Sequence, residues 1–300
     1  MAFILLVRDK TSGKGLIAVP DKPTISIIIP TFNAELTLRS CLDSVCHQSY
    51  SSYEVLLIDG NSTDRTLEII EDYKGYGVKW ISESDTGIYD AMNKGVAMAS
   101  GEWLYFLGSD DQLYENALSA IADHLYYPKV HFVYGDVFFK HSGRRYGFEY
   151  TNEKLAERVI CHQAIFAHRS LFVRCGLFDQ RYKSCADYAF MIKAFGLNPN
   201  HNFYTNEPIA VFDERGFSAA HLDLPFLRIK HKLCKTHLGI DSNNEAYFEH
   251  LSKEGNHEIE AGSMMTGIKM SIVSVLLGRN KMRKLLDVLY VLKKRFFRKS

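Results

Sequence analysis

A chain of 300 residues, 46% hydrophobic and 24% charged, has the composition of a soluble globular protein, which excludes disorder over most of its length. Its net charge of +1 hides an asymmetry: residues 279–300 hold nine Lys/Arg against one acid, Asp287, so the tail carries +8 and residues 1–278 carry −7. With no second basic patch upstream, a nucleic-acid partner is excluded, and no apolar run reaches the roughly eighteen residues that cross a bilayer.

Residues 1–7 are apolar but short, with no basic region before them and no clear cleavage site after them. They read as a short strand or ordered arm rather than a leader, and residues 1–23 form an N-terminal arm. From residue 24 strands and helices alternate. Residues 25–29 are a β-branched run closed by Pro30, and 34–47 space their apolar residues as a helix does. Residues 53–58 form a second strand, and Asn61 to Asp64 offer N-caps for a helix over 66–73. A third strand over 78–82 precedes a helix over 88–99, stopped by Gly101. A fourth strand covers 103–107, a helix 113–127 ends at Pro128, and a further strand spans 131–139.

This rhythm specifies an α/β fold with a mostly parallel central sheet flanked by helices. Right-handed crossovers gather the strand carboxyl ends at one edge, where such sheets bind ligands. Residues 140–216 are mixed, with a helix over 186–195. Beyond 217 the chain reads as a helical extension, with polar segments over 222–254 and amphipathic ones over 264–296. Six cysteines (41, 46, 161, 175, 185, 234) make no Cys-x-x-Cys pair and no zinc spacing, as expected of reduced thiols in a cytosolic protein.

Chemistry concentrates at the strand ends. Ser109-Asp110-Asp111 follows the fourth strand. Adjacent carboxylates repel unless a proton or cation is shared, and a hard divalent ion that also grips a diphosphate would relieve that repulsion. The same residues suit a plain surface turn, and taken alone they leave both readings open. Asp59-Gly60 and Glu83-Ser84-Asp85 end the second and third strands and face the same cleft.

Taken in order, these segments resemble an inverting family 2 glycosyltransferase of the GT-A, nucleotide-diphospho-sugar transferase fold. The resemblance runs from Ile25-Ser-Ile-Ile-Ile-Pro30-Thr31-Phe32-Asn33 through Gln48-Ser-Tyr50 and Glu54-Val-Leu-Leu-Ile-Asp59-Gly60-Asn61-Ser62-Thr63-Asp64. It continues through Asp85-Thr86-Gly87-Ile88-Tyr89-Asp90-Ala91-Met92-Asn93-Lys94-Gly95 to the Ser109-Asp110-Asp111 turn. Cys161-His162-Gln163-Ala164, Gly176-Leu177-Phe178-Asp179 and Ala186-Asp187-Tyr188 resemble the acceptor half. The Asp-x-Gly-Ile-Tyr-Asp-Ala-Met-Asn form is similar to transferases that build bacterial surface polysaccharides.

The resemblance implies a GT-A domain over 24–216, divided into a nucleotide-sugar part (24–140) and an acceptor part (141–216), before a helical extension with a basic amphipathic tail (217–300). It implies that Asp111 ligates Mg²⁺ or Mn²⁺ and that Asp110 helps position the metal and ribose. It implies that Thr31, Asn33 and Asp59 line the base pocket, with Asp85 facing the uridine-like part of the donor. Tyr89 is then expected to stack or hydrogen-bond at the donor, and Asn93 to lie beside the diphosphate. Asp187 is the implied catalytic base, and His162 and Gln163 bind donor phosphate or acceptor sugar. Three positions depart from the family pattern: Gly60, Gly108 and Ala186 stand where relatives carry acids.

The implied partners are a nucleotide-diphospho-sugar (uridine first, guanosine second) and a glycan or lipid-linked acceptor. The tail over 281–299 suits either an anionic membrane surface or packing on the domain. The expected location is cytoplasmic, peripheral on the inner face of the cell membrane. Two rivals remain at this stage. A nucleotidyltransferase would carry a Gly-rich basic loop where Thr31-Phe32-Asn33-Ala34 stands. An inactive sugar- or nucleotide-binding module is kept open by the three departures.

Overall fold

The computed structural model describes residues 25–127, 129–214, 223–240 and 281–297, two short strands before them, and isolated positions between 252 and 275. In chain order the elements are β1 (Val7–Arg8), β2 (Leu16–Ile17), β3 (Ile25–Thr31), α1 (Leu38–Cys46), β4 (Tyr53–Asp59), α2 (Thr66–Asp72), β5 (Lys79–Ser82) and α3 (Ile88–Met98). There follow β6 (Trp103–Phe106), β7 (Gln112–Leu113), α4 (Ala117–Leu125), β8 (Phe132–Phe139), β9 (Arg145–Tyr146) and α5 (Asn152–Glu157). The last group is β10 (Ile165–His168), α6 (Ser170–Cys175), α7 (Ala186–Leu197), β11 (Asn202–Phe212), α8 (Leu224–Leu233) and α9 (Lys281–Phe297).

β1 pairs with β2, and the other strands form one sheet in the order β5-β4-β3-β6-β10-β8-β11-β7, with β9 on β8. β3, β4, β5 and β6 are mutually parallel, as are β8 and β11. β10 runs against both β6 and β8, and β7 against β11. The expected α/β architecture with a mostly parallel sheet is therefore present. The reversed strands have a consequence for chemistry. Carboxyl ends of the parallel strands and amino ends of β7 and β10 share one edge. Asp59, the 108–111 turn, residues 140–141, His162-Gln163 and Asp213 are all delivered there.

Packing explains why these segments adopt these forms. Ile25, Ile27 and Ile29 face the layer containing Leu38, Cys41, Leu42 and Val45 of α1, while Ile28 faces Tyr89, Ala91 and Met92 of α3. A strand buried on both faces reads as an uninterrupted apolar run, and each such isoleucine contributes about 2–3 kcal/mol. Tyr188 to Ile192 are all buried, so α7 is a core helix rather than an amphipathic surface one.

Two expected helix starts are corrected. The helix expected over 113–127 starts only at Ala117, because Asn116 takes a left-handed conformation (φ 59°) that a right-handed helix cannot contain. Gln112–Leu113 instead pair with Val211 and Ala210 of β11. Asp136 lies inside β8 and is tied to Arg145 and to the Tyr204 hydroxyl (2.7 Å). The first helix begins at Leu38 rather than at residue 34.

All six cysteines are free thiols. In the extension, Asp223 caps α8 by accepting from the Phe226 amide (3.1 Å). α9 buries Lys284, Val288 and Val291, the last two in a cluster with Ile259, Ile268 and Leu292. Met282, Leu285, Leu286, Leu289 and Tyr290 are exposed on the same helix. Most of the segments expected over 241–254 and 264–280 lie outside the described residues. Among the described residues no helix is long and apolar enough to cross a membrane.

Candidate active site

The acid turn is built over a glycine. Asp111 is 1% exposed, and its Oδ1 accepts from the Asp213 amide (2.7 Å) while Oδ2 accepts from Gln163 Nε2 (2.7 Å). A Cβ placed on Gly108 would stand 2.5 Å from Asp111 Oδ2 and 2.7 Å from Asp110 Oδ1. Both carboxylates fold over residue 108, so this chain's departure there has a steric cause: a side chain would displace them. Burial, then repulsion from Asp110, pushes the Asp111 carboxyl up to about 6. Burial also raises Asp110. Two oxygen-bearing acids short of positive charge are a donor set that fits a hard divalent cation.

The neighbouring strand ends supply a second polar group. Lys140 Nζ donates to the Asp110 carbonyl (3.2 Å) and pairs with Asp213 (3.3 Å). Among the described residues, ligand atoms of His141, Asp213 and Glu214 lie within 4.8 Å of one another. Glu214 accepts from the His141 and Ser142 amides, which holds the 140–142 turn against the end of β11.

At the end of β4, Asp59 is fully buried. It accepts from the Ser62 amide (3.0 Å), the Ser62 hydroxyl and the Ser82 hydroxyl (2.6 Å). Thr31 donates to the Ile29 carbonyl, and Asn33, in the left-handed region (φ 46°), accepts from the Thr63 amide (2.9 Å). Residues 31–33 and 59–63 therefore form one laced pair of loops. Asp85 accepts from the Gly87 amide, and a Cβ on Gly60 would meet Asp85 Oδ2 at 2.7 Å. An acid at 60 would press against Asp85, which accounts for glycine there. Lys94 closes the preceding loop through Glu83 (2.9 Å) and the Ser84 carbonyl (2.9 Å).

Two residues expected at the donor have partners within the chain. Asn93 spends its amide on the Phe178 backbone, donating to the carbonyl (2.9 Å) and accepting from the amide (3.0 Å). Tyr89 donates its hydroxyl to Asp187 Oδ1 (2.8 Å), the residue expected as the base.

Asp187 lies in the first turn of α7. Its Oδ1 also accepts from the Tyr188 amide (2.9 Å), and its Oδ2 faces His162 Nδ1 at 3.2 Å. Burial opposes its charge, but His162 and then Tyr89 outweigh burial and hold the carboxyl below its ordinary value. Burial likewise opposes charge on His162, and Asp187 outweighs it, so the imidazole is raised. The two expected acceptor-side residues thus bridge the two key acids: His162 holds Asp187 and Gln163 holds Asp111. Asp213 and Lys140 are additions to the sequence-derived set. Asp213 ends a strand just as Asp59 does, and that rule would have found it.

A curled, mainly parallel sheet with acids at its carboxyl edge is the frame of the GT-A transferases. TarS residues 1–349 from S. aureus in complex with UDP-GlcNAc superimpose with a TM-score of 0.53 at 18% identity, covering 91% of this chain and 72% of that one. The mannosyltransferase PcManGT from Pyrobaculum calidifontis, in complex with GDP-Man and Mn²⁺, gives 0.54 at 18% identity over 93% of this chain and 88% of that one. A PGL/p-HBAD biosynthesis glycosyltransferase of Mycobacterium tuberculosis is 40% identical over 225 residues, 73% of this chain and 87% of the relative. The glycosyltransferase EpsJ of Bacillus subtilis is 27% identical over 194 residues, 58% of this chain and 56% of the relative. Residues 26–181 match the profile of Glycosyl transferase family 2, and the chain belongs to that family. It is a glycosyltransferase.

Proposed function

We propose that the protein moves a sugar from a nucleotide-diphospho-sugar, of uridine first and guanosine second, to a hydroxyl of a glycan or lipid-linked acceptor in surface-glycan synthesis, with inversion at the anomeric carbon. The observation that carries this reading is the bridge at the sheet edge. Adjacent residues His162 and Gln163 fix, respectively, an acid suited to deprotonating an acceptor and an acid suited to holding a metal. The names of the relatives, which include a PGL/p-HBAD biosynthesis glycosyltransferase, support the choice of acceptor class.

In this reading Asp111, helped by Asp110, holds Mg²⁺ or Mn²⁺, which would supply Lewis-acid stabilisation of the departing diphosphate. Asp59, Thr31, Asn33 and Asp85 form the nucleoside end of the donor site. Asp187 drives deprotonation of the acceptor. The domain limits follow the same division: 24–140 for the donor, 141–216 for the acceptor, 217–300 as the extension.

The extension also has a role in this proposal. Met282, Leu285, Leu286, Leu289 and Tyr290 follow the i, i+3, i+4, i+7, i+8 pattern, so they form one exposed apolar stripe. Exposed Arg283 and Lys293 flank it. That face suits peripheral contact with anionic lipid on the cytoplasmic leaflet. Co-sedimentation with anionic vesicles checks it: Leu289→Glu should abolish binding, and unchanged binding would rule the stripe out.

Thermal unfolding tests the donor reading. UDP, GDP, CDP and dTDP are each added with and without Mn²⁺. One nucleotide with Mn²⁺ should raise the midpoint, as any ligand of the folded state must, and Asp111→Asn should lose that rise. A rise that survives in Asp111→Asn would remove the metal role from this residue.

A further inference from the structure

Asp187 is held by three donors: the Tyr89 hydroxyl, the Tyr188 amide and His162 Nδ1. A carboxylate so stabilised has little proton affinity, whereas a general base works best when its affinity matches the working pH. The other end of the imidazole is different. His162 Nε2 is buried and has no hydrogen-bond partner among the described residues. Such an atom costs about 1–3 kcal/mol unless a partner arrives.

A small cavity of ≈ 20 Å³ lies beside the pair, lined by His162 and Asp187, and its other walls are apolar, Met92, Phe106, Phe178 and Phe190 among them. It holds about one water-sized group, and since Nε2 exposes almost no surface, a sugar-borne hydroxyl reaches the ring only when the apolar walls part. His162 also begins the turn whose next residue, Gln163, is tied to Asp111. The ring is therefore anchored through its backbone as well as through Nδ1.

We propose that His162 and Asp187 act as one base, with Asp187 holding the Nδ1–H and Nε2 receiving the proton of the acceptor hydroxyl. This rests on the transferase reading above and changes which atom meets the acceptor. As the acceptor oxygen bonds to the anomeric carbon, the bond from that carbon to the diphosphate breaks and its electron pair leaves with the nucleotide. The hydroxyl proton passes to Nε2, and the imidazolium stays paired with Asp187 until it returns the proton to solvent. Asp187 then orients and charges the ring, as the buried carboxylate does in other Asp–His pairs. The groups that face the pair are Asp110 and Asp111 toward His162, and Tyr89, Cys161 and Cys185 toward Asp187.

The test is ring-nitrogen NMR on the full ¹⁵N-labelled chain, with His162→Gln to assign the resonance and Asp187→Asn as the probe. Neutral His162 should carry its proton on Nδ1 and should titrate above the ordinary histidine value. Asp187→Asn should remove both the tautomer preference and the upward displacement. A neutral ring protonated on Nε2, or a cation that persists beyond about pH 9, overturns the proposal, because neither offers a lone pair to the acceptor. Transfer gives a second arm. His162→Gln should lose about 100-fold in kcat with its nucleotide-dependent rise in melting temperature unchanged, whatever the loss of the buried Asp187 partner costs the fold. Full transfer in that variant overturns the pair but leaves the transferase reading standing. A wild-type chain that binds no nucleotide sinks the proposed donor reading instead, while the NMR arm still decides the pair.

Discussion

Two buried carboxylates sit at opposite ends of the same sheet and have opposite fates. Glu54, near the amino end of β4, accepts from the Ser26 hydroxyl (2.7 Å), the Ser100 amide and hydroxyl (2.7 Å each) and Lys79 Nζ (2.9 Å). Burial opposes its charge, yet Lys79 and the other donors win and hold it down to about 2. Asp111, beyond the carboxyl end of β6, has only neutral donors and faces Asp110, and it is pushed up to about 6. Burial opposes charge at both and is deeper at Asp111, and only Glu54 has a cationic donor in contact to outweigh it. The protein completes the amino end with a lysine bonded to the carboxylate, whereas Asp111 at the carboxyl end accepts from no cation. Removing a carboxylate should therefore cost stability at one end and chemistry at the other.

The largest effect falls on the chemical end. Asp187→Asn should lower transfer by about 10³-fold or more, because neither a direct nor a histidine-mediated base survives without its charge. Its nucleotide- and Mn²⁺-dependent rise in melting temperature should stay at the wild-type level. Near-normal turnover would remove Asp187 from the mechanism altogether.

Glu54→Gln is the opposite case. It should leave nucleotide binding unchanged and cost about 2–3 kcal/mol in urea unfolding at neutral pH, since a charged acceptor of several hydrogen bonds is lost from a buried site. The pH dependence has a definite sign. The folded-state value lies below the unfolded value of roughly 4.3, so the contribution is present above that pH and is lost as pH falls toward about 2. Wild type and variant should converge in stability across that window. A constant gap would show that the carboxylate charge is not what stabilises this end.

The sequence made the frame legible and the wiring illegible. Runs such as residues 25–29 and 53–58 announce buried parallel strands, and the α/β alternation places their ends together. Nothing in a two-residue strand has a period, so β7 was indistinguishable from the start of the next helix. The direction of β10 is equally silent, yet its reversal is what carries His162 and Gln163 to the donor edge. The contacts that define the site join residues 98 apart (Tyr89 and Asp187) and 52 apart (Gln163 and Asp111). Their spacing along the chain holds no trace of them. Gly60 and Gly108 looked like losses from the family pattern, and the fold shows instead that acids already occupy the space their side chains would need.

Gly108→Ala sharpens the contrast without removing a charge. The added methyl must displace at least one of the two carboxylates that fold over residue 108. Residue 108 has no left-handed backbone to strain, so stability should change by less than about 1 kcal/mol. Mn²⁺ affinity, read from the nucleotide-dependent melting shift, should weaken about tenfold, as when the supports of a metal ligand are moved. Wild-type Mn²⁺ response in Gly108→Ala would mean that the folded-over arrangement is not the one that binds.

Tyr89→Phe carries the smallest expected effect and separates two readings of one residue. The ring is buried against Phe178, 5.8 Å between centroids, and phenylalanine keeps that packing. Only the hydroxyl that donates to Asp187 Oδ1 disappears. If Tyr89 serves the base, kcat should fall about five- to tenfold with donor KM unchanged, because one of the donors that position the carboxylate is missing. If it serves the donor, as its place in the 85–95 segment first suggests, KM for the nucleotide-sugar should rise while kcat holds. The hydroxyl sits 2.8 Å from Asp187, and that contact favours the first outcome.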